Sequence, residues 1–135
     1  MTKVDILIVD DAMDWIKSYS NFLHKHPFDY TLDIEQAKKF IDTYSKSDKQ
    51  FYFVDAIIPE SPVPEPYVGA KALINHVKQR DLSIEHFYIS TSMWDETERS
   101  FARGLGVKCL DKFRLYEELL TIEDEVDRII KGEES

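Results

Sequence analysis

Short apolar runs recur along the chain at intervals that suit strands alternating with helices. Runs rich in β-branched and aromatic residues predict five strands, at residues 4–9, 28–32, 51–55, 86–90 and 107–110. The third run, Phe-Tyr-Phe-Val, contains no polar residue before Asp55. Continuous apolar runs are typical of strands that are buried on both faces of a parallel sheet. The third run and the first, residues 4–9, are therefore expected to form strands in the interior, beneath helices.

The segments between the runs repeat apolar residues every three or four positions, which predicts amphipathic helices. Asp33 and Asp95 are suitable N-caps for the second and fourth helices, and Trp15 lies off the apolar stripe of the first. The positions predicted to face the core are Met13, Ile16, Tyr19, Phe22, Leu23, Ile34, Ala37, Phe40, Ile41, Tyr44, Ala70, Leu73, Ile74, Val77, Leu119, Leu120, Val126, Ile129 and Ile130.

Five strands alternating with five helices predict an α/β fold, in which helices cover both faces of a five-stranded parallel sheet. The crossover connections are expected to be right-handed. The 135 residues fit a single domain with a real core. We expect that core to span about residues 3–131, with a disordered tail at residues 132–135.

Composition narrows the class of partner. The net charge of −9 argues against nucleic acid or an anionic membrane as a partner, because both require a basic surface. The lone Cys109 excludes an internal disulfide and suits a reducing compartment. No apolar run approaches the ~20 residues that cross a bilayer. We therefore expect a soluble, cytoplasmic protein.

Polar residues follow four of the predicted strands: Asp10-Asp11, Asp55, Thr91 and Lys112. In a parallel sheet the carboxyl ends of the strands share one edge, where open α/β sheets bind their ligands. Two unit charges ~4 Å apart repel by about 4 kcal/mol at an effective dielectric near 20, so three carboxylates need cations. Lys112 supplies one, and oxygen ligands favour Mg²⁺, with Mn²⁺ as the alternative.

Beside a metal, Asp55 has the chemistry of a nucleophile that attacks phosphorus and forms an aspartyl phosphate. Here the sequence resembles the receiver domain of two-component response regulators. The resemblance is carried by Asp10-Asp11, by the segment Asp55-Ala56-Ile57-Ile58-Pro59, and by Thr91 and Lys112 after later strands. It spans residues 3 to about 130. It implies a flavodoxin-like (βα)5 fold, doubly wound, with strand order 2-1-3-4-5.

The resemblance also implies roles for individual residues. Asp55 would accept a phosphoryl group from a histidine kinase or a histidine phosphotransfer protein. Asp11, Asp55 and the backbone carbonyl of Ile57 would hold Mg²⁺, and Asp10 would assist. The downstream partner would be a protein that binds the surface formed by the fourth helix, the fifth strand and the fifth helix.

In the same scheme Lys112 would pair with the phosphoryl group, and Thr91 would move toward it as the switch residue. Three neighbours depart from the family pattern. Cys109 occupies the position of an aromatic switch partner, Ser92 that of a smaller Ala or Gly, and Phe113 that of a proline. A cis bond to a non-proline residue costs ~3 kcal/mol, so the Lys112–Phe113 bond is predicted to be trans.

A proline-rich insert after Asp55 lengthens the connection to the third helix beyond the family's usual spacing. Pro62, Pro64 and Pro66 exclude helix and inner strand and predict an extended course. This insert is expected to lie beside the site as a surface loop, and it is a candidate partner loop.

The leading hypothesis is a stand-alone receiver, because only a few residues follow the last predicted helix. Its only chemistry would be self-phosphotransfer and self-dephosphorylation, so it is not expected to be an enzyme. One alternative is a pseudo-receiver, a phosphorylation-independent binding module. Another is a metal-dependent phosphohydrolase. Such enzymes commonly need an acidic group two residues after the nucleophile, and that position is Ile57.

Overall fold

In a computed structural model, the described residues are 5–23, 26, 28–43, 50–56, 68–91 and 96–131. Five strands alternate with five α-helices in this part of the chain. They are β1 (Ile6–Val9), α1 (Met13–Leu23), β2 (Phe28–Thr31), α2 (Ile34–Thr43), β3 (Phe51–Asp55), α3 (Val68–Gln79), β4 (Phe87–Thr91), α4 (Glu96–Gly104), β5 (Lys108–Asp111) and α5 (Leu115–Ile130). None of these helices is long and apolar enough to span a bilayer.

The strands form one parallel sheet in the order β2-β1-β3-β4-β5, which confirms the predicted topology. Val9 pairs with Val54, Asp55 with Ser90, and Thr91 with Asp111. This register brings the ends of β1, β3, β4 and β5 to one edge of the sheet, called the carboxyl edge below. Residues that follow these strands therefore meet there, although they are far apart in sequence.

Both faces of the sheet are covered, as the continuous apolar runs predicted. On one face α1 and α5 pack on residues such as Ile8, Phe53 and Tyr88. On the other face α2, α3 and α4 pack on Leu7 and the alternate residues of the other strands. Burying a large apolar side chain stabilises the fold by about 1.5–3 kcal/mol. The core thus holds the carboxyl edge rigidly from both sides.

Two positions predicted to face the core are exposed instead. Leu120 is 49% exposed, because the side of α5 that meets the sheet carries Leu115, Leu119 and Val126. Successive helical residues differ by about 100°, so Leu120 turns away when Leu119 points inward. Met13 is 39% exposed at the first position of α1.

Other predicted positions are partly buried or lie outside the described residues. Phe22, Ile129 and Ile130 are partly buried and pack against the core beside α1 and α5. Tyr44, the cap Asp95 and the tail at residues 132–135 lie outside the described residues.

Candidate functional site

Asp10 begins the site directly after β1. Its backbone N–H donates to the carbonyl of Thr31 (3.2 Å), which continues the sheet by one residue. Its carboxylate Oδ1 accepts a hydrogen bond from the N–H of Ala12 (2.9 Å), a local turn that leads the chain into α1. The Asp10 side chain is therefore buried, while the next residue, Asp11, is exposed.

Asp55 is the last residue of the central strand β3 and is 9% exposed. The N–H of Ala56 donates to the carbonyl of Ser90 (2.8 Å), so the end of β3 is fixed against β4. One carboxylate oxygen from each of Asp10, Asp11 and Asp55 lies within 4.8 Å of the others. These three residues form the acidic cluster, and the structure confirms the predicted convergence of these carboxylates.

Lys112 reaches the same cluster from the end of β5. Its Nζ lies 2.8 Å from Oδ2 of Asp10 and 3.2 Å from Oδ1 of Asp55. Asp111 accepts a hydrogen bond from the N–H of Phe113 (3.1 Å), which starts a 3-10 turn at Lys112–Arg114. No cis peptide bond occurs among the described residues, as predicted for Lys112–Phe113. The substitution of phenylalanine for proline thus leaves the lysine in the site.

The electrostatics of the cluster favour a further cation. Three carboxylates and one ammonium, all ionised, leave two negative charges at this edge. Burial raises the pKa of Asp10 above its ordinary value, the hydrogen bond from Lys112 works in the opposite direction, and the Asp11 charge adds to the increase. The cost of the buried charge therefore exceeds the attraction to Lys112 in the absence of a metal.

The donor set fits a hard divalent cation. Carboxylate oxygens are the ligands that Mg²⁺ and Mn²⁺ prefer in proteins, and a divalent ion would balance the two remaining charges. Asp10, Asp11 and Asp55 each offer one oxygen to such an ion. The backbone carbonyl of Ile57, a predicted ligand, lies outside the described residues.

Of the predicted switch residues in the described part of the chain, Thr91 lies at the carboxyl edge, and Cys109 lies within β5, paired with Ile89. Thr91 is the last residue of β4 and is 1% exposed. Cys109, on β5, is partly buried and packs against the core under α4. Ser92 and the insert prolines Pro62, Pro64 and Pro66 lie outside the described residues. Their roles stay predictions.

Sequence reasoning missed Trp15. Its ring centroid lies 4.8 Å from Nζ of Lys112, within the range of a cation–π contact. The sequence pattern predicts only that Trp15 lies off the apolar stripe of α1 and carries no signal that it meets Lys112.

A second missed feature is the hydroxyl-bearing Tyr19, which is fully buried between α1 and the sheet. Burial raises the pKa of Tyr19, and the charges of Asp10 and Asp55 add to this increase, while the Ser90 hydroxyl opposes it. The phenol therefore stays protonated beneath the acidic cluster. The sequence placed Tyr19 correctly in the core but carried no signal that its hydroxyl points toward the site.

A groove between α1 and α5 adjoins the site. Its cavity volume is about 280 Å³, and its wall includes Trp15, Ser18, Phe22, Lys112, Phe113 and Tyr116. Phe113 and Tyr116 are 75% and 66% exposed. We call this surface the α1–α5 groove. Lys112 belongs to both the groove and the acidic cluster, so the two features are continuous.

Comparison with known proteins gives the fold a name. No protein-family model matches the chain, and no curated protein matches it. Solved structures do match at low identity. The receiver domain of NtrX from Brucella abortus has a TM-score of 0.67 and 19% identity, over 90% of this chain and 97% of that one.

Two further solved structures are similar to this chain along almost their whole length. The chemotaxis response regulator CheY4 of Vibrio cholerae has a TM-score of 0.66 and 14% identity, covering 93% of this chain and 99% of that one. The signal receiver domain of a putative LuxO repressor protein from Vibrio parahaemolyticus has a TM-score of 0.63 and 15% identity, covering 99% and 100%. This chain therefore has the fold of response-regulator receiver domains, the CheY-like flavodoxin fold.

Proposed function

We propose that the protein is a receiver that accepts a phosphoryl group on Asp55 in the presence of Mg²⁺. The observation that carries this proposal is the convergence of Asp10, Asp11, Asp55 and Lys112 at the carboxyl edge of a receiver-type sheet. The phosphoryl donor would be a histidine kinase or a histidine phosphotransfer protein. The product would signal by binding another protein.

The proposed chemistry is a displacement at phosphorus. A carboxylate oxygen of Asp55 attacks the phosphorus of a donor phosphohistidine, a P–O bond forms, and the P–N bond breaks. The donor imidazole leaves with the bonding electron pair. Lys112 is close enough to Asp55, at 3.2 Å, to pair with the phosphoryl oxygens as they arrive. Mg²⁺ held by the acidic cluster would neutralise the negative charge of the transferred group.

The remaining roles belong to the same proposal. Thr91 and Ser92 would contact the phosphoryl group, and Cys109 would take the place of the aromatic switch partner. The surface formed by α4, β5 and α5 would bind the downstream protein, and the segment with Pro62, Pro64 and Pro66 would be a second partner contact. In this function no nucleic acid or membrane is bound, and the protein acts in the cytoplasm.

Intact-protein mass spectrometry after incubation with acetyl phosphate tests the proposal. With Mg²⁺ the wild-type protein should gain one phosphoryl group, and chelation of the metal should prevent the gain. Asp55→Asn should show no adduct. Asp33→Asn is the matched control, because Asp33 accepts a hydrogen bond from the N–H of Gln36 (2.8 Å) as a helix cap and asparagine can replace it.

The absence of an adduct in folded protein, with acetyl phosphate and with histidine-phosphorylated donors, would contradict the proposal. A phosphorylation-independent binding module, the pseudo-receiver, would then be the better account. Steady turnover of a small phosphate ester would instead indicate a phosphohydrolase. The proposal expects only transfer to Asp55 and its slow hydrolysis.

A further inference from the structure

Trp15 gives Lys112 of the candidate site a contact with an uncharged group. Its ring centroid lies 4.8 Å from Nζ of Lys112, whose side chain is only 7% exposed. The contact joins α1 to the residue that directly follows β5. A cation held over the face of an indole ring is attracted to the ring, and the attraction is larger where the cation is desolvated. Tryptophan is the strongest of the aromatic partners.

The other partners of Lys112 are shared with the proposed metal. Its Nζ lies 2.8 Å from Asp10 and 3.2 Å from Asp55, and both carboxylates belong to the acidic cluster. A divalent ion bound there would withdraw negative charge from Lys112 and would repel its ammonium group. The indole carries no net charge and ligates no Mg²⁺, so the metal does not compete for it.

A 3-10 turn, in which the N–H of Leu115 donates to the carbonyl of Lys112, holds the backbone of the lysine. Phe113 follows it and is 75% exposed. Trp15 is itself partly buried, packs against the core beside α1 and α5, and lines the α1–α5 groove. Packing against the core therefore places the indole face beside the ammonium group.

We infer that Trp15 is a positioning residue that keeps the Lys112 ammonium beside Asp55 when metal and phosphoryl group occupy the carboxylates. The inference rests on the proposed function, since its consequence is faster phosphoryl transfer. Trp15 touches no reacting atom in this scheme and acts through the lysine. A rate effect should therefore vanish when the lysine charge is absent.

A double-mutant cycle tests this consequence. The initial rate of phosphoryl gain from acetyl phosphate is measured at saturating Mg²⁺ for Trp15→Phe and Trp15→Leu. We expect about a tenfold loss for leucine, which has no π face, and a smaller loss for phenylalanine. In a Lys112→Met background, Trp15→Leu should cause no further loss. Phe22→Leu, an aromatic-to-leucine change in the same groove, is the matched control and should keep the wild-type rate.

Two rate outcomes would overturn the inference. One is a wild-type rate in Trp15→Leu. The other is an equal tenfold loss with and without the lysine charge, which would indicate a structural role. Melting temperatures within about 2 °C of wild type for Trp15→Leu and Phe22→Leu show that the comparison is made between equally folded proteins.

A second readout does not depend on phosphorylation. The indole ring current should shift the ε-methylene proton signals of Lys112 upfield in NMR spectra, and the shift should persist when Mg²⁺ is added. Trp15→Leu should abolish it. Loss of the shift in wild-type protein on adding Mg²⁺ would overturn the inference. A persistent shift in a protein that accepts no phosphoryl group would support the contact and refute the proposed function alone.

Discussion

Asp10 is the buried carboxylate that directly follows β1. Its side chain is buried and its pKa is raised, chiefly by burial. The folded state therefore binds the Asp10 proton more tightly than the unfolded state, where the ordinary value is 3.8. The resulting stabilisation is complete below that value and is lost as pH rises through the folded pKa. The ionised form of Asp10 is therefore less favourable in the metal-free folded protein than in the unfolded chain.

Removing the charge of the Asp10 side chain should stabilise the metal-free protein. Asp10→Asn retains an oxygen that can accept from Ala12 and removes the buried charge. In EDTA at pH 7 we expect its melting temperature to rise by about 2–4 °C, the effect of ~1 kcal/mol in a domain of this size. A lower melting temperature would mean that the attraction between Asp10 and Lys112 outweighs the cost of burial.

The helix α5 offers a comparison between adjacent leucines. Leu119 is fully buried and Leu120 is 49% exposed. Leu119→Ala should reduce the free energy of unfolding by about 2–5 kcal/mol, because it leaves a cavity in the core. Leu120→Ala should change it by less than about 0.5 kcal/mol, as surface substitutions usually do. Urea denaturation measures both, and equal losses would show that the assigned buried side of α5 is wrong.

The opposite end of β4 from the site should give the fold a pH dependence. His86 precedes the strand, is 7% exposed and stacks on Phe51 with ring centroids 4.5 Å apart. Burial lowers the pKa of His86 below its ordinary 6.5. The unfolded state thus binds the proton more tightly, and stability falls as pH drops through 6.5 toward the folded pKa.

His86→Phe should retain the stack and remove this titration. We expect the melting temperature of the variant to fall less steeply than that of wild type between pH 7 and pH 5. Scanning calorimetry across this range checks the difference. Parallel curves for the two proteins would contradict the assignment of a buried neutral histidine.

Elements were easier to predict from the sequence than side-chain environments. The apolar runs predicted all five strands, of which β1, β3 and β4 are buried along their whole length. The strand ends predicted the meeting of Asp10, Asp11, Asp55 and Lys112. The apolar stripe on α5 predicted that both Leu119 and Leu120 face the core. Only Leu119 does, because adjacent helical residues point in different directions. Trp15 was missed because its partner is 97 positions away along the chain, and only the fold brings them together.

Mg²⁺ should stabilise the folded molecule, because the molecule carries a large negative charge. The net charge is −9, and the acidic cluster concentrates part of it at one edge. A ligand at 100 times its dissociation constant stabilises a protein by about 2.7 kcal/mol. We therefore expect Mg²⁺ to raise the melting temperature of wild type. In Asp11→Asn, which alters an exposed ligand, the increase should be lost.

Sodium chloride at matched ionic strength is the control for that experiment, because salt screens repulsion throughout an acidic protein. An equal increase with sodium chloride, or an undiminished increase in Asp11→Asn, would show that Mg²⁺ acts by general screening. The acidic cluster would then not be its site.

The most direct test of the account is to locate the phosphoryl group. After reaction with acetyl phosphate and Mg²⁺, borohydride reduces an aspartyl phosphate to the corresponding alcohol, and peptide mapping identifies the altered residue. The account predicts modification at Asp55, absent when the metal is chelated. Modification at another residue, or none at Asp55 in folded, Mg²⁺-loaded protein, would contradict it.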